Sequence, residues 1–331
     1  MLEWLISAEV QCECSLDSVC RYAAKHDSRS VLEWAIERGT ILTSNHLGWA
    51  AINGHIALVR WMHEKHHVPF GYELGEEVAL TGNLAMLQYV VGKGVKLTCI
   101  TSMCAAQSGS ETMVRWIHDK RGKWSRLEIS NVCAGAAAGG HLSLLQSLRS
   151  QGYIWDERTT DEAVTHGHVS VLRWAIENGC PFKCDYIVIE SCLNMAKDGH
   201  LDMLKFLYQY DPKCFDDDVL DEVMEAAMCL GNLSMVQFLC SVHTWDEEVL
   251  MEAAQCTKPC ALEMVQWLVE HDHFSLPLKD RFEMRLDVAK YLEEKGLLNT
   301  EEEKEEKAQY LVEMESVAKI EKELARLVNF L

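Results

Sequence analysis

The sequence predicts an all-α protein: a helical solenoid of about nine repeats with a C-terminal amphipathic capping helix. Composition favours helix, because the 331 residues include only five prolines and are rich in Ala, Leu, Met and Glu. A similar segment also recurs along most of the chain, as in repeat arrays. A chain of this length suits two domains or one elongated array better than a single globular core.

The repeated unit contains two small residues, two variable residues, Gly-His or Gly-Asn, and then a run of apolar residues. It is clearest in 50-AAINGHIALVRWM-62, 136-AAAGGHLSLLQSL-148, 163-AVTHGHVSVLRWA-175 and 195-MAKDGHLDMLKFL-207. We call the glycine position of each unit its anchor, and successive anchors are 24 to 32 residues apart. The anchors are Asp27, Gly54, Gly82, Gly109, Gly140, Gly167, Gly199, Gly231, Cys260 and Met284.

Each unit is predicted to fold as two short helices joined at the anchor. The first helix ends near the anchor, where glycine permits the positive φ of a sharp turn. The second helix runs for about ten residues and turns an apolar pair, four and five positions after the anchor, inward. An aromatic residue follows nine of the ten anchors by seven positions, and these rings are expected in the core between repeats. Glycine twelve residues after several anchors is typical of a helix C-terminus.

The connectors between units contain a further aromatic residue, often followed by acids, as in 155-WDERTTDEA, 215-FDDDVLDEV and 245-WDEEVLMEAA. Asp at a helix start accepts hydrogen bonds from free N–H groups and suits the positive end of the helix dipole. We therefore expect each connector to bury its aromatic ring and to begin the next first helix. No unit can bury its apolar side alone, so the units are expected to stack around one continuous core.

The repeat array is assigned to residues 15–296, preceded by a partial N-terminal repeat over residues 1–14. The segment 2-LEWL-5 matches 32-LEWA-35, so the chain begins inside a second helix. This beginning is either a capping unit or a sign that the chain is part of a longer protein.

Residues 297–331 form a different, acidic segment that is predicted to be one amphipathic helix. Thr300 and Glu303 match a capping box. Apolar residues from Leu311 to Leu331 recur every three or four positions. We expect this helix to cap the last repeat, with a partner-binding or coiled-coil helix as the alternative.

The net charge of −20 comes entirely from the second half of the chain. Residues 1–150 carry 14 acidic and 14 basic residues, whereas residues 151–331 carry 37 acidic and 17 basic ones. A nucleic-acid partner is not expected, because such a partner needs a cationic face. A basic protein partner would be attracted to the acidic half, although solubility alone also accounts for the charge.

Composition also suggests an intracellular protein, cytoplasmic or nuclear. The sequence contains no run of 18 apolar residues and so predicts no membrane span. Its first ten residues, MLEWLISAEV, lack the basic region of a secretory signal. The 14 cysteines are scattered through helical segments, as expected for reduced thiols. No cysteine pair has a matching second pair at zinc-site spacing. We expect no metal, cofactor, small-molecule ligand or membrane partner.

One short stretch, 61-WMHEKHHVPF-70, contains the H-E-x-x-H pattern of zinc peptidases. That chemistry needs His63 and His67 on one helical face with Glu64 as general base. His66 occupies the position at which sister units have their terminating glycine, so His67 is predicted to lie beyond the helix. A zinc-dependent peptidase is nevertheless the alternative function that this motif offers.

Other motifs of catalysis are missing from the sequence. It contains no G-x-S-x-G, no phosphate-binding G-x-x-x-x-G-K-[ST] and no dinucleotide-binding G-x-G-x-x-G after a strand. Histidine recurs directly after four anchors, at His55, His141, His168 and His200. Because the position is fixed within the unit, we expect these side chains to form hydrogen bonds in the turn and at the helix start.

The repeated unit resembles the ankyrin repeat. The A-A-x-x-G-H-x-x-[VL]-[VL]-x-x-L core of that family is matched by the units around Gly54 and Gly140. The resemblance covers about residues 15–296 and is strongest to the short, Trp-rich repeats of large DNA viruses, algae and oomycetes. It implies a non-catalytic binding scaffold whose ligands lie on the concave side, along first helices and connectors.

The unit departs from the ankyrin pattern in two ways. The opening T-P-L-H segment is absent, since 45-NHLGW stands before Ala50, and the period is often 27 or 28 residues rather than about 33. The short period is expected to trim the β-hairpin fingers that standard arrays use for binding.

The predicted function is protein–protein interaction, as an adaptor or a structural subunit and without catalysis. One group of candidate partner-binding residues comprises variable pairs before the anchors: Lys25, His26, Ile52, Asn53, Gln107, Ser108, Thr165, His166, Lys197 and Asp198. A second group comprises the acids of the connectors: Asp156, Glu157, Asp216, Asp217, Asp218, Asp246, Glu247 and Glu248. The first acid of each connector has helix capping as an equally good explanation. Three hypotheses stay open: an adaptor that recruits a partner to an effector such as a ligase, a stoichiometric subunit of an assembly, and the zinc enzyme.

Overall fold

The computed structural model describes residues 15–183, 200–245, 248–256, 259–271 and 285–296. It divides into two compact units, Met1–Lys183 and Cys184–Leu331. Throughout the described residues, regular structure is helical and no β-strand occurs. The all-α fold class is therefore confirmed.

The described part of the first unit consists of six helix pairs. The first helices are α1 (Leu16–Lys25), α3 (Ser44–Ile52), α5 (Leu74–Leu80), α7 (Cys99–Gln107), α9 (Arg126–Ala138) and α11 (Glu157–Thr165). The second helices are α2 (Arg29–Glu37), α4 (Ile56–His66), α6 (Leu84–Gly92), α8 (Glu111–Arg121), α10 (Leu142–Ser150) and α12 (Val169–Glu177). Each second helix begins two residues after its anchor, as the repeat predicts.

The second unit contains further helices of the same kind. They are α13 (Leu201–Tyr210), a 3-10 turn (Pro212–Cys214), α14 (Asp217–Leu230), α15 (Leu233–Val242), α16 (Glu248–Gln255), α17 (Ala261–Glu270) and α18 (Leu286–Glu294). Helix α14 contacts both α15 and α16, and α17 contacts α15, α16 and α18.

In the first unit the helix pairs stack in sequence order. The first helices contact one another in series from α1 through α3, α5, α7 and α9 to α11, and each contacts the second helix of its own pair. Small residues permit this close approach: Ala50 and Ala51 are fully buried. At Gly135 of α9, an added Cβ would overlap the main chain of Met103 in α7. Glycine at position 135 is therefore required by helix packing.

In each unit, the predicted apolar pairs are part of the buried core. These side chains are at most 4 % exposed at Leu32, Leu58, Val59, Met86, Leu87, Met113, Val114, Leu144, Leu145, Val171, Leu172, Met203, Leu204, Met235, Val236, Met264, Val265 and Val288. Only Val31 and Ala289 among the described pairs are half-buried. Burying an apolar side chain of this size stabilises a fold by about 1.5–3 kcal/mol relative to its exposure.

The described anchors, apart from Cys260, form the predicted left-handed turns. Six anchor glycines have φ between +71° and +81°, and Asp27, at the same position, has φ +54°. Asp tolerates this conformation better than most residues because its short side chain can satisfy nearby backbone groups. Cys260 differs, since its φ is −82° and it directly precedes α17.

The aromatic residues seven positions after the anchors are less buried than predicted. Trp61 is 8 % exposed, but the rings of Trp34, Tyr89, Trp116 and Trp174 are half-buried. These rings lie at the margin of the core, where a cation can cover the outer face of the ring. Arg38 lies 4.1 Å from the Trp34 ring centroid, and Arg29 of the preceding repeat lies 5.0 Å from that of Trp61.

Candidate binding surface

Some residues of the variable pairs before the anchors contact the next repeat through their main-chain carbonyl groups. The carbonyl groups of Lys25 and Gln107 accept hydrogen bonds from Nε2 of His55 and His141, each over 2.9 Å. His168 donates in the same way to the carbonyl of Ala138, over 3.0 Å. We call this contact, between a histidine after one anchor and the end of the preceding first helix, the histidine clasp.

The histidine clasp corrects the sequence prediction. The position after the anchor does direct a hydrogen bond, but the acceptor is the neighbouring repeat rather than the turn of the histidine itself. The clasp also explains why the anchor of the preceding repeat is a glycine. A Cβ at Gly109 would lie 2.7 Å from the His141 ring, and one at Gly140 would lie 2.6 Å from the ring of His168.

Several side chains of the variable pairs fold back onto their own helix. Nδ2 of Asn53 donates to the Trp49 carbonyl over 2.8 Å, and Nδ1 of His166 donates to the carbonyl of Glu162 over 3.0 Å. The Ser108 hydroxyl donates to the Ala105 carbonyl over 2.9 Å. These bonds satisfy carbonyl groups near helix C-termini, so the three residues have a structural role.

The other members of the pairs lie on the surface. Lys25, His26 and Thr165 are exposed, and Ile52 and Gln107 are half-buried. Lys197 and Asp198 lie outside the described residues. The same holds for the predicted N-terminal repeat (1–14) and C-terminal helix (297–331).

The first acids of two connectors have structural roles, by different means. The carboxylate of Asp216 accepts a hydrogen bond from the Val219 N–H over 3.1 Å, as predicted for a helix cap. Asp156 makes no such cap and instead pairs with Arg158, Oδ2 to Nη2 over 2.7 Å. Burial alone would raise the pKa of Asp156, but hydrogen bonds from Arg158 and Ser130 outweigh it and lower that pKa.

The later acids of these connectors are exposed. Glu157 pairs with Lys183 over 3.2 Å at the surface, and Asp217 and Asp218 are also exposed. Asp217 lines an acidic groove of about 390 Å³ together with Asp221, Glu222, Glu225, Glu252 and the ring of Trp245. Asp246 and Glu247 lie outside the described residues, as does the side chain of Glu248.

Large apolar side chains that are exposed in the first unit all lie on first helices or on connectors. They are Tyr22, Ile41, Trp49, Tyr72, Leu80, Ile100 and Leu127. Within the described part of this unit, no second helix exposes a large apolar side chain. None of these residues was among the predicted binding residues, which were variable positions and acids, because apolar residues outside the repeating pattern give no such signal.

Two of these exposed side chains share a groove of about 350 Å³ between α3 and the start of α5. The aromatic groove, as we call it, is lined by Trp49 and Ile52 of α3, by Tyr72 of the connector, and by Glu73, Leu74 and Glu77. Gly48 also lies on its wall. Burial raises the pKa of Glu77, and the nearby charges of Glu73 and Glu76 raise it further.

The H-E-x-x-H stretch has the predicted geometry. Helix α4 ends at His66, and His67 follows it in the left-handed conformation with φ +53°. His63 stacks on Phe70 with ring centroids 4.1 Å apart. Its Nδ1 donates to the Val68 carbonyl over 2.9 Å.

Glu64, the candidate general base of that motif, is paired with Lys93. A hydrogen bond from Nζ of Lys93 over 2.8 Å is the main reason that the pKa of Glu64 is lowered. A general base in a hydrolase needs a pKa near the working pH rather than a lowered one. Among the described residues, no three His, Cys, Asp or Glu side chains are grouped so that they could hold a metal ion.

None of the described helices has the length and apolar character needed to cross a lipid bilayer. A scan of the chain against protein-family models finds no match. A search of curated proteins also finds no significant similarity to this sequence.

Proposed function

We propose that this chain is a divergent, short-period ankyrin-type solenoid that acts as a non-enzymatic scaffold for protein–protein interaction. The observation that carries the proposal is the one-sided exposure of large apolar residues in the first unit. Tyr72 is 88 % exposed and Ile41 is 83 % exposed, and both lie on connectors that precede first helices. Trp49, Leu80, Ile100 and Leu127 extend this exposure along α3, α5, α7 and α9.

Exposed apolar and aromatic residues that collect on one side of a protein are typical of interaction sites. Tyr and Trp contribute a large share of binding free energy at interfaces, because each buries much area with few rotatable bonds. On the second helices of the same unit, cations lie over four aromatic rings, as Arg38 does at Trp34, and on the first helices Arg21 lies over Tyr22. Large apolar side chains are exposed only on first helices and connectors in the described part of this unit, so this is the side on which a partner would gain most.

The proposed partner is a protein, and its charge is expected to be basic. The acidic groove of the second unit gathers five carboxylates around Trp245, and the whole chain carries a net charge of −20. Such a surface steers basic partners and repels acidic ones. Both an adaptor and a stoichiometric assembly subunit fit these features.

The proposal is tested by affinity capture from a native lysate of the source cells with matched variants as bait. The test variant carries four serines on first helices, Tyr22→Ser, Leu80→Ser, Ile100→Ser and Leu127→Ser. The control carries four serines at exposed positions of second helices, Ala57→Ser, Gln88→Ser, Thr112→Ser and Gln146→Ser. We expect the test variant to lose the proteins that the wild type and the control recover, while both variants keep their helical circular dichroism.

Equal recovery by the two variants, or a loss confined to the control, would overturn the proposed binding side. The salt dependence of the captured proteins distinguishes an assembly subunit from an adaptor. One near-stoichiometric partner that is retained as salt rises indicates an assembly subunit. A set of basic proteins that is released as salt rises indicates an adaptor with an electrostatic interface.

A further inference from the structure

We infer that the aromatic groove between α3 and α5 is a docking site for an arginine side chain of a protein partner. The inference rests on the proposed binding function and adds its place and its chemistry. Three features of the described residues lead to it: the open aromatic rings, the two carboxylates that line the groove, and a glycine that the fold does not need.

The rings of the groove differ from the tryptophan rings of α2 and α4. Trp34 and Trp61 each lie within 5.0 Å of an arginine of this chain. Among the described residues, no such cation lies over Trp49 or Tyr72. Both side chains are exposed, so a cation supplied from outside can reach their rings, and a guanidinium group stacks on an aromatic ring better than an ammonium group does.

The charged residues that line the groove are all acidic. Glu73 and Glu77 line it, and no Lys, Arg or His is among its lining residues within the described chain. Neighbouring Glu76 is held by a hydrogen bond from the hydroxyl of Thr98, over 2.7 Å. Burial, and then repulsion by Glu73 and Glu76, disfavour the ionised form of Glu77 and raise its pKa. An arginine in the groove would relieve that repulsion and could bind a carboxylate through two parallel hydrogen bonds.

Gly48 is the residue that the fold does not need. It lies inside α3, where glycine is unfavourable relative to alanine. Its φ is not positive, and an added Cβ would meet only Oε2 of Glu77 at an ordinary 3.6 Å. This contrasts with Gly135, where a Cβ would overlap a neighbouring main chain. At Gly48 the missing methyl group leaves space in the groove, beside the carboxylate.

Glu77 and Gly48 thus lie beside each other, and each is a residue whose replacement is expected to stabilise the fold. Sites at which a sequence departs from the locally most stable choice are often functional. Trp49 supplies an apolar wall and Glu77 a charge, which are the two complements of an arginine side chain, with its apolar stem and cationic end.

The test uses the full chain and a phage-displayed library of random 12-residue peptides as the probe. Selected peptides are synthesised, and their affinities are measured by fluorescence anisotropy for the wild type and for Glu77→Gln and Gly48→Ala. Glu177→Gln and Gly92→Ala are the matched controls, because Glu177 lies at the end of a second helix and a Cβ at Gly92 would meet nothing within 4 Å.

We expect the selected peptides to share an arginine. Glu77→Gln should lower their affinity about tenfold, as when one charged hydrogen-bonded contact is removed, and Gly48→Ala should also lower it, because the added methyl group takes up space beside the carboxylate. The two control variants should stay close to the wild type. Replacing the shared arginine of a peptide by lysine should weaken binding to the wild type, because the planar, bidentate contact is lost.

Three outcomes would overturn the inference. If peptides bind equally to wild type and groove variants, they dock elsewhere, and binding function stands without this site. If binding depends on the groove but the peptides share lysine or only apolar residues, the assignment of arginine is wrong. If no peptide is selected, the groove is not a peptide site, and the proposed scaffold function is judged by the lysate experiment with the four-serine variants alone.

Discussion

At the scale of single residues, Glu77 and Gly48 show a conflict between stability and the shape of the aromatic groove. Glu77 is a half-buried carboxylate with a raised pKa, and it is surrounded by acids rather than cations. Gly48 interrupts a helix without a steric reason. Both residues make measurable predictions about the free energy of unfolding, independent of any ligand.

Gly48→Ala should stabilise the protein by about 0.5–1 kcal/mol, the usual difference between glycine and alanine inside a helix. Urea unfolding followed by circular dichroism would measure it. Gly135→Ala is the contrasting variant, because its Cβ would overlap the Met103 main chain, and overpacking of this kind costs about 1–3 kcal/mol. A destabilised Gly48→Ala protein would show that α3 does need the glycine.

Glu77→Gln should raise the melting temperature at pH 7. Because the folded-state pKa of Glu77 is raised, by burial first and by Glu73 and Glu76 next, the ionised side chain weakens the folded state. The penalty is absent at pH values below the unfolded-state pKa and is fully present above the folded-state pKa. Melting curves from pH 3.5 to 7.5 should therefore coincide for wild type and variant at the acid end and separate as pH rises.

Glu37→Gln, a change at an exposed acid at the end of α2, is the control for that series. A pH dependence of Glu77→Gln equal to that of Glu37→Gln would mean that the surroundings of Glu77 do not disfavour its charge.

At the scale of helices, the histidine clasp joins consecutive repeats through a main-chain acceptor. His141 directly precedes α10 and reaches the last turn of α7, 34 residues earlier in the chain. Some units replace this histidine with asparagine, and there the side chain caps its own helix: Asn83 accepts from the Met86 N–H over 3.0 Å. The position after the anchor therefore stabilises either the interface between repeats or the helix start.

His141→Asn should exchange the first role for the second. Loss of the bond to the Gln107 carbonyl is expected to cost about 0.5–1.5 kcal/mol, and the new cap should return part of that. His141→Ala loses both and should be the less stable of the two variants in urea unfolding. Equal stability of all three proteins would show that the bond to Gln107 contributes nothing.

At the scale of the whole molecule, charge is distributed unevenly along the chain. The first 150 residues are balanced, and the rest carry the net charge of −20. This excess of carboxylates is the reason that we propose a basic partner. The acidic groove at Trp245 brings together five of the described carboxylates of this half.

The association rate of a captured basic partner should fall as salt rises, because steering by exposed charges is screened. Neutralising the acidic groove with Asp221→Asn, Glu222→Gln and Glu225→Gln should lower that rate and flatten its salt dependence. The control neutralises three exposed acids of the first unit, with Glu37→Gln, Asp119→Asn and Glu177→Gln. Stopped-flow measurements that give the same salt dependence for both triple variants would exclude the groove as the steering surface.

Features that depend on neighbours in sequence could be predicted without the structure. The helix pairs, the left-handed anchors and the burial of Met86 and Leu87 follow from helical periodicity and from the steric freedom of glycine. The position of His67 beyond α4 follows from the same register. The role of Asp156 could not be predicted, because its partner Arg158 and the residues that orient it, Ser130 and Asn131, come from two helices.

The all-α class and the inward-facing residues of each helix are evident from the sequence, since both depend on local spacing along the chain. The contacts between repeats depend on the tertiary structure. The acceptor of the His55 hydrogen bond is 30 residues away, and the walls of the aromatic groove come from α3, α5 and the connector that precedes α5. The stacking of first helices places these residues side by side, and it depends on the packing of whole surfaces, which no local pattern contains.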